Sequence, residues 1–307
     1  MTNTHIIIVT YNGMTWLEKC LASSKNYPVV VVDNHSSDET VSFIESHYPD
    51  ATLLQQTTNL GFGQANNLGI SYALNQGAEY VFLLNQDAYL QEDCIERLIS
   101  VRKDNPDYGI LSPIHLNGQG NKLDQNFSNY VNYNANEDFY SDFVLNKHKR
   151  QVYAVPFVNA AGWLLSKEIL KTVGGFDPLF FHYGEDDNYC QRVRYHGYKI
   201  GVVPTAFLLH DREERKKQRI AYASTAYFDQ LERNLKVTYA NINLENLDEL
   251  ISLRNRRKRE KLKASLKFDF KRMVYLSKEL SLLNRIIPEI EESRLNNLKN
   301  TDPPISD

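Results

Sequence analysis

Asn85 and Asp87 stand two residues apart at the end of an apolar run, Tyr80 to Leu84, that reads as a buried strand. A carboxylate and an amide oxygen at that spacing can reach one hard cation, and a magnesium ion held in this way keeps positions open for substrate phosphates. The chemistry favoured is a metal-diphosphate site at the carboxyl end of a strand, where open α/β sheets collect their ligands. Asn and Asp also bond their own backbone in ordinary turns, so the pair by itself leaves both readings open. A second acidic group, Glu185-Asp186-Asp187, offers a base for a reacting hydroxyl or is a solvated helix start favoured by the helix dipole. His210 follows the apolar stretch Ala206 to Leu209 and is a packed residue or a ligand.

Groups so far apart in sequence need a rigid scaffold, and the first hundred residues predict one. His5 to Thr10, Val29 to Val32, Thr52 to Leu54 and Tyr80 to Leu84 read as strands. Between them Trp16 to Ser24, a segment capped by Ser36 with Glu39 three residues on, and Gln64 to Leu74 read as helices. Alternation of this kind specifies an α/β fold, Rossmann-like, with a mostly parallel sheet flanked by helices. The strand ends carry groups suited to a nucleotide. Tyr11 stacks or packs, Asn12 offers donors and acceptors, and Asp33 accepts from a base N–H or a ribose hydroxyl unless it only closes an Asx turn. Gly61-Phe62-Gly63 imitates a dinucleotide fingerprint but lacks the third glycine and follows the third strand, which argues against a nicotinamide or flavin dehydrogenase.

Composition sets outer bounds. With 307 residues, 42% apolar and 24% charged, the chain is long enough for a large domain and an appendage. Met1 to His5 lacks the pattern of a signal peptide and no long uncharged apolar run follows, so a cytoplasmic protein is expected. Cys20, Cys94 and Cys190 lie far apart without paired spacing and read as buried free thiols. The net charge of −3 conceals an asymmetry, since residues 250 to 285 hold twelve Lys/Arg and three Asp/Glu, about +9, leaving the remainder near −12. No nucleic-acid partner is expected.

Blocks further along extend the pattern. Ile8 to Asn12, Val32 to Asp38, Asn59 to Gly63, Leu84 to Asp87, Ala161 to Leu165, Gly174 to Asp177, Phe181 to Asp186, Arg192, Gly197-Tyr198, Pro204 to His210 and Glu232-Arg233-Asn234 occur in an order that resembles the family 2 glycosyltransferases, particularly the rhamnosyltransferase-like branch. The resemblance spans about residues 5 to 240. It implies a GT-A fold over residues 1–240, a nucleotide-binding half at 1–110 and an acceptor half at 111–240. It further implies inverting transfer of a sugar from a nucleotide diphosphate, dTDP- or UDP-linked, to an acceptor hydroxyl on a saccharide or lipid-linked acceptor, in cell-surface polysaccharide or lipid-linked oligosaccharide assembly. Carried over residue by residue, Asp87 and His210 hold Mg2+ or Mn2+. Thr10, Tyr11, Asn12, Asp33, Asn59, Gly61 and Asn85 meet the donor, and Gly162, Trp163 and His182 the acceptor. Asp186 is the base, with Glu185 the fallback. Asn188 stands where the family commonly has another Asp, and Asn85-Gln86-Asp87 has one acid where many members have two. Fewer carboxylates imply weaker intrinsic metal binding, with the nucleotide supplying much of the affinity.

Other classes remain as comparators. A sugar-nucleotide nucleotidyltransferase shares the sheet and acidic turn but wants a basic glycine-rich phosphate loop, which Tyr11-Asn12-Gly13-Met14 does not provide. A glycosidase needs two carboxylates flanking the scissile bond. A non-catalytic nucleotide- or carbohydrate-binding protein would show no turnover dependent on Asp186. Residues 115 to 150, rich in Asn, Tyr, Asp and Ser, read as a polar insertion that lines a sugar site or is a surface excursion. Asp211 to Arg219 reads as a charged segment closing over the diphosphate. A helical basic extension is expected at 241–295. From Leu262 the apolar residues Leu266, Met273, Leu276, Leu280, Leu283 and Ile287 recur at helical spacing until Pro288. That face docks on the domain or a partner, or attaches through 250–287 to an anionic inner membrane surface. Residues 296–307 read as a disordered tail.

Overall fold

In the computed structural model, residues 3–212 and 220–299 are described. Four parallel strands form one half of the sheet: β1 (Thr4–Thr10), β2 (Val29–Asp33), β3 (Thr52–Gln55) and β4 (Tyr80–Asn85), in the order β3-β2-β1-β4. Ile6, Ile7, Ile8 and Val30 to Val32 are buried, because helices cover both faces and a parallel strand then has no solvent side. The crossovers contain α1 (Leu17–Ser23), α2 (Thr40–His47) and α3 (Phe62–Asn75). At Gly69, α3 lies so close to the sheet that a Cβ would meet Ile7 Cγ2 at 2.4 Å.

The other half is mixed rather than parallel. After β5 (Ala88–Leu90), α4 (Cys94–Asp104) and β6 (Tyr108–Asn117), the chain makes α5 (Gln125–Tyr130), α6 (Glu137–Val144) and β7 (Tyr153–Ala154). Then β8 (Gly162–Ser166) runs antiparallel between β4 and β6. It is followed by α7 (Lys167–Val173), α8 (Glu185–Tyr195) and the long β9 (Lys199–His210), which is parallel to β6 and antiparallel to β5 and β7. The reversal at β8 brings the loop before it to the same sheet edge as the end of β4.

Two local expectations are corrected and one is given detail. Helix α2 starts at Thr40, not beside Ser36. The Ser36 hydroxyl accepts instead from Asn12 N–H, and Asp38 accepts from Thr40 N–H. The polar insertion is built around two short helices, whose caps Asp124 and Asn136 accept from Phe127 and Phe139 N–H and whose Phe127 and Phe139 rings are buried. The basic extension is a hairpin of two helices, not one run.

That hairpin follows α9 (Thr225–Tyr239). Helix α10 (Leu247–Leu266) breaks at Lys267 to Asp269, with Phe268 at φ 53°, and α11 (Phe270–Leu298) returns. Leu276, Leu280, Leu283 and Ile287 are buried as the periodicity requires, whereas Leu262 and Leu266 are exposed. Pro288 lies inside α11. It deletes one intrahelical bond, while Ile286, Ile287 and Ile290 on either side are buried against Phe180 and Leu235 and hold the helix. Asn296 to Leu298, expected in a tail, extend α11 because Ser293 and Asn297 bond Asp177, which precedes α8. Residues 300–307 lie outside the described residues, as do residues 213–219 of the expected closing segment. Among the described residues no helix is long and apolar enough to cross a membrane, and the three cysteines are buried free thiols.

Candidate active site

The ends of β1 and β4 are tied by Gln86, the middle residue of Asn85-Gln86-Asp87. Its Oε1 accepts from the Thr10 hydroxyl at 2.8 Å and from Tyr11 N–H at 3.0 Å. Asn12 follows with φ 48°, its N–H on Ser36 Oγ and its Oδ1 accepting from Ser37 N–H. Tyr11 leaves this knot half exposed, so its ring presents a face. Asp33, at the end of β2, is buried. One oxygen accepts from Ser36 N–H and the other has no partner among the described residues. Asn85 Oδ1 is likewise unpartnered, and an unmet acceptor at a strand end is what a donor group on a ligand would satisfy.

The loop after β3 is held from within. Asn34 donates to Asn59 Oδ1 at 2.9 Å and accepts from Leu60 N–H at 2.7 Å, while Gly61 N–H donates to Asn59 Oδ1. Gly61 has φ 78°, and a Cβ there would sit 2.0 Å from the Phe181 carbonyl oxygen. Asn59 Oδ1 and Gly61 therefore shape the loop, Gly61 docks it on Phe181, and Asn59 remains exposed.

Asp87 and His210 meet through strand register. Ala88 pairs with His210 across β5 and β9, and Asp211 N–H donates to the Asp87 carbonyl at 2.8 Å. The buried Asp87 Oδ1 and His210 Nε2 come to 3.4 Å. Two donors each about 2.1 Å from one cation lie about 3.0–3.4 Å apart, so the pair fits a shared divalent ion. Among the described residues no third His, Cys, Asp or Glu joins a metal-holding group, so remaining ligands would come from diphosphate and water. Beyond His210, Arg212 forms a two-pronged pair with Asp124, the Nε contact being 2.7 Å, and Asp211 accepts from Tyr89 OH at 3.0 Å. Cys20 lies beneath, its Sγ 3.5 Å from the Asn85 carbonyl. Burial and the Asp87 charge push its thiol up, which removes it as a nucleophile.

The acidic start of α8 faces this edge. Gly184 (φ 96°) and Tyr183 (φ 66°) turn the chain so that Glu185, Asp186 and Asp187 occupy the first helical turn. Asp186 accepts from Asp187 N–H and from the backbone of Ala160. The next residue, Ala161, accepts from Asn85 N–H at 3.1 Å, so one loop joins the base candidate to the end of β4. Burial, followed by the charge of Asp187, holds the Asp186 carboxyl above the ordinary carboxylate range. In this protein-lined setting Asp186 as a residue is partly exposed. Glu185 is also raised, by burial and then by Asp186, but it is buried on the other side, its Cβ near Gly63 of α3. Tyr130 joins the site from the insertion, its phenol pushed up by burial and next by Asp186.

Two expected acceptor residues do not fit that role. Trp163 is fully buried and stacks on Phe176 with ring centres 6.1 Å apart, and a Cβ at Gly162 would meet Leu208 at 2.2 Å. Both build the core because they lie inside β8, between β4 and β6. His182 is exposed, against the Tyr183 ring at 3.9 Å, and Arg233 lies 5.0 Å over the same ring. Gln86, Tyr130 and the Arg212–Asp124 pair were not singled out from sequence. Gln86 sits inside the key block and could have been found there, whereas a pair separated by 88 residues carries no local signal.

A sheet with charged and amide groups gathered at its strand ends, faced by an acidic helix start, has the layout of α/β enzymes that bind ligands at the carboxyl ends of their strands. The chain matches the family model for glycosyl transferase family 2 over residues 5–174 and belongs to that family. It is a glycosyltransferase with a GT-A fold, which answers the nucleotidyltransferase and non-catalytic alternatives. It is 25% identical over 231 residues to N-acetylglucosaminyl-diphospho-decaprenol L-rhamnosyltransferase of Mycobacterium tuberculosis H37Rv, covering 67% of this chain and 75% of the relative. It is 26% identical to the dTDP-rhamnosyl transferase RfbF of Shigella flexneri over 68% of this chain and 69% of the relative. Among solved structures, S. aureus TarS 1–349 in complex with UDP-GlcNAc superimposes with a TM-score of 0.55 at 18% identity, covering 98% of this chain and 89% of that one. The mannosyltransferase PcManGT from Pyrobaculum calidifontis, in complex with GDP-Man and Mn2+, gives 0.52 at 17% identity, covering 99% and 77%.

Proposed function

We propose that this glycosyltransferase transfers a sugar, rhamnose or another hexose, from a dTDP- or UDP-linked donor to a hydroxyl of a saccharide or lipid-linked acceptor in cell-surface glycan assembly, with inversion. The observation that carries the reading is the buried contact of Asp87 with His210 on the sheet edge that Asn85 and the Ala160–Ala161 loop share with Asp186. Rhamnosyl transfer in the names of two relatives favours a deoxysugar donor.

Asp87 and His210 would hold Mg2+ or Mn2+ on the diphosphate. The bound ion supplies Lewis-acid neutralisation of charge on the leaving group, worth several kcal/mol. The Tyr11 ring face and the unmet oxygen of Asp33 suit a base and a ribose or base N–H. Asp186 takes the proton of the acceptor hydroxyl as its oxygen bonds the anomeric carbon and the bond from that carbon to the diphosphate oxygen breaks. A carboxyl raised toward neutrality by burial is a stronger base than an exposed one. The exposed aromatics Phe181 and Tyr183, beside His182, offer apolar faces on the acceptor side.

A panel of nucleotide sugars assayed with Mg2+, with Mn2+ and with chelator tests this. One donor is expected to turn over, to lose activity on chelation and to regain it when either cation is restored. Full activity in chelator with every active donor would remove the cation from the account.

A further inference from the structure

We propose that the turn joining α10 and α11 is a membrane-docking tip, in which Phe268, Phe270 and the neighbouring aliphatic side chains enter an anionic lipid surface. This goes beyond the donor and acceptor chemistry and does not depend on it. The apolar face expected from periodicity to dock on the domain, a partner or a membrane is docked on the domain, Leu283 and Ile287 packing with Phe180, Leu235 and Leu250. A different set of apolar residues is left uncovered. Leu262 is 64% exposed, Leu266 74%, Phe268 77%, Phe270 68% and Val274 59%. Leu262 and Leu266 lie one turn apart at the end of α10, Phe270 and Val274 one turn apart at the start of α11, and Phe268 occupies the turn between. Scattered single exposed apolar residues are ordinary, whereas five within thirteen positions at one tip form a patch.

The charge around the tip selects the partner. Residues 254–278 contain eleven Lys/Arg and two Asp/Glu. Arg257 is engaged by Glu260 and Glu279, and Arg272 approaches Glu260. Lys258, Arg259, Lys263, Lys267 and Lys271 are exposed and form no ion pair among the described residues. Asp269, the acid nearest the turn, caps α11 by accepting from Arg272 N–H. Long basic side chains flanking aromatic and aliphatic ones match a bilayer interface, where the apolar groups enter and the cations reach lipid phosphates. A polyanion without an apolar layer would leave Phe268 and Phe270 without a role. The hairpin also provides reach, since Leu250 is buried at its base and the sixteen residues to Leu266 rise about 24 Å along a helix.

Flotation with phosphatidylglycerol-containing vesicles and with pure phosphatidylcholine vesicles, at low and high salt, tests the proposal on the full chain. Wild type is expected to float with the anionic vesicles at low salt and to stay behind with the neutral ones. Phe268→Ser/Phe270→Ser and Lys263→Glu/Lys267→Glu should each lower the partitioning by about tenfold or more, with unchanged thermal midpoints because all four positions are exposed. In a Phe268→Trp variant, brominated acyl chains should quench the indole. Flotation of wild type that is absent, or that survives the serine variant, overturns the proposal. So does a serine variant that only changes sedimentation from dimer to monomer, which would make the tip a contact between copies. Binding to heparin with no lipid quenching would overturn it in favour of a soluble polyanion.

Discussion

Asp186 and Glu185 are chain neighbours held in different surroundings. Asp186 meets the backbone of Ala160 and its charge acts on the Tyr130 phenol, while Glu185 lies buried near Gly63. That difference supports Asp186 over Glu185 as the base. Both carboxyls are held above their ordinary values by burial, so the folded chain binds their protons more tightly than the unfolded chain. Below the unfolded value both states are protonated and the groups are neutral to stability. As pH rises past it and through the raised folded value, ionisation in the buried site costs the fold stability. Asp186→Asn is therefore expected to raise the thermal midpoint more at mildly alkaline than at mildly acidic pH. Calorimetry across that range showing a constant difference would contradict the burial of this charge. At this scale the acids were legible, because Asp87 ends an apolar strand and Asp186 sits in an ordered block. Trp163 was misleading, since an aromatic suited to sugar contact is equally suited to a sheet core, and only the position of β8 decides between them.

Among the elements, the loop after β3 carries the sharpest steric constraint near the site. Gly61 needs φ 78° and admits the Phe181 carbonyl within the space of a Cβ. Gly61→Ala should cost about 2–4 kcal/mol, from left-handed strain and overpacking together, and should weaken donor binding by parting this loop from Phe181. Denaturant unfolding and nucleotide titration check the two effects separately, and an unchanged midpoint in the first would refute the close approach. The alternation that predicts β1 to β4 was readable because each parallel strand is a short β-branched run with helical spacing between. The mixed half was not readable, because β6, β8 and β9 pair across long separations and nothing local announces that β8 runs backward. The C-terminal hairpin was half readable. Periodicity located the buried stripe, but the break at Phe268 lacks glycine or proline, and Pro288, which has the look of a stop, is carried by buried neighbours.

Across the whole molecule, the sheet gathers what the sequence scatters. Asp33, Asn85 with Asp87, and His210 come from the ends of β2, β4 and β9 or the turns beside them, and the acidic start of α8 meets them through the Ala160–Ala161 loop. The charge is divided accordingly, with the acids in the catalytic half and the excess of Lys/Arg on the hairpin. The proposals for transfer chemistry and for surface attachment accordingly concern separate parts of one chain. In the proposed mechanism Asp186 removes the acceptor proton while Asp87 would hold the cation on the donor. The most direct test is steady-state transfer by wild type, Asp186→Asn and Asp87→Ala, with nucleotide-sugar binding measured on each by calorimetry in the presence of cation. Asp186→Asn should bind donor like wild type with kcat lower by about 10²–10⁴-fold. Asp87→Ala should lose the cation-dependent part of donor binding as well as turnover. An Asp186→Asn enzyme that transfers at the wild-type rate, or an Asp87→Ala enzyme whose donor binding still responds fully to cation, would contradict it.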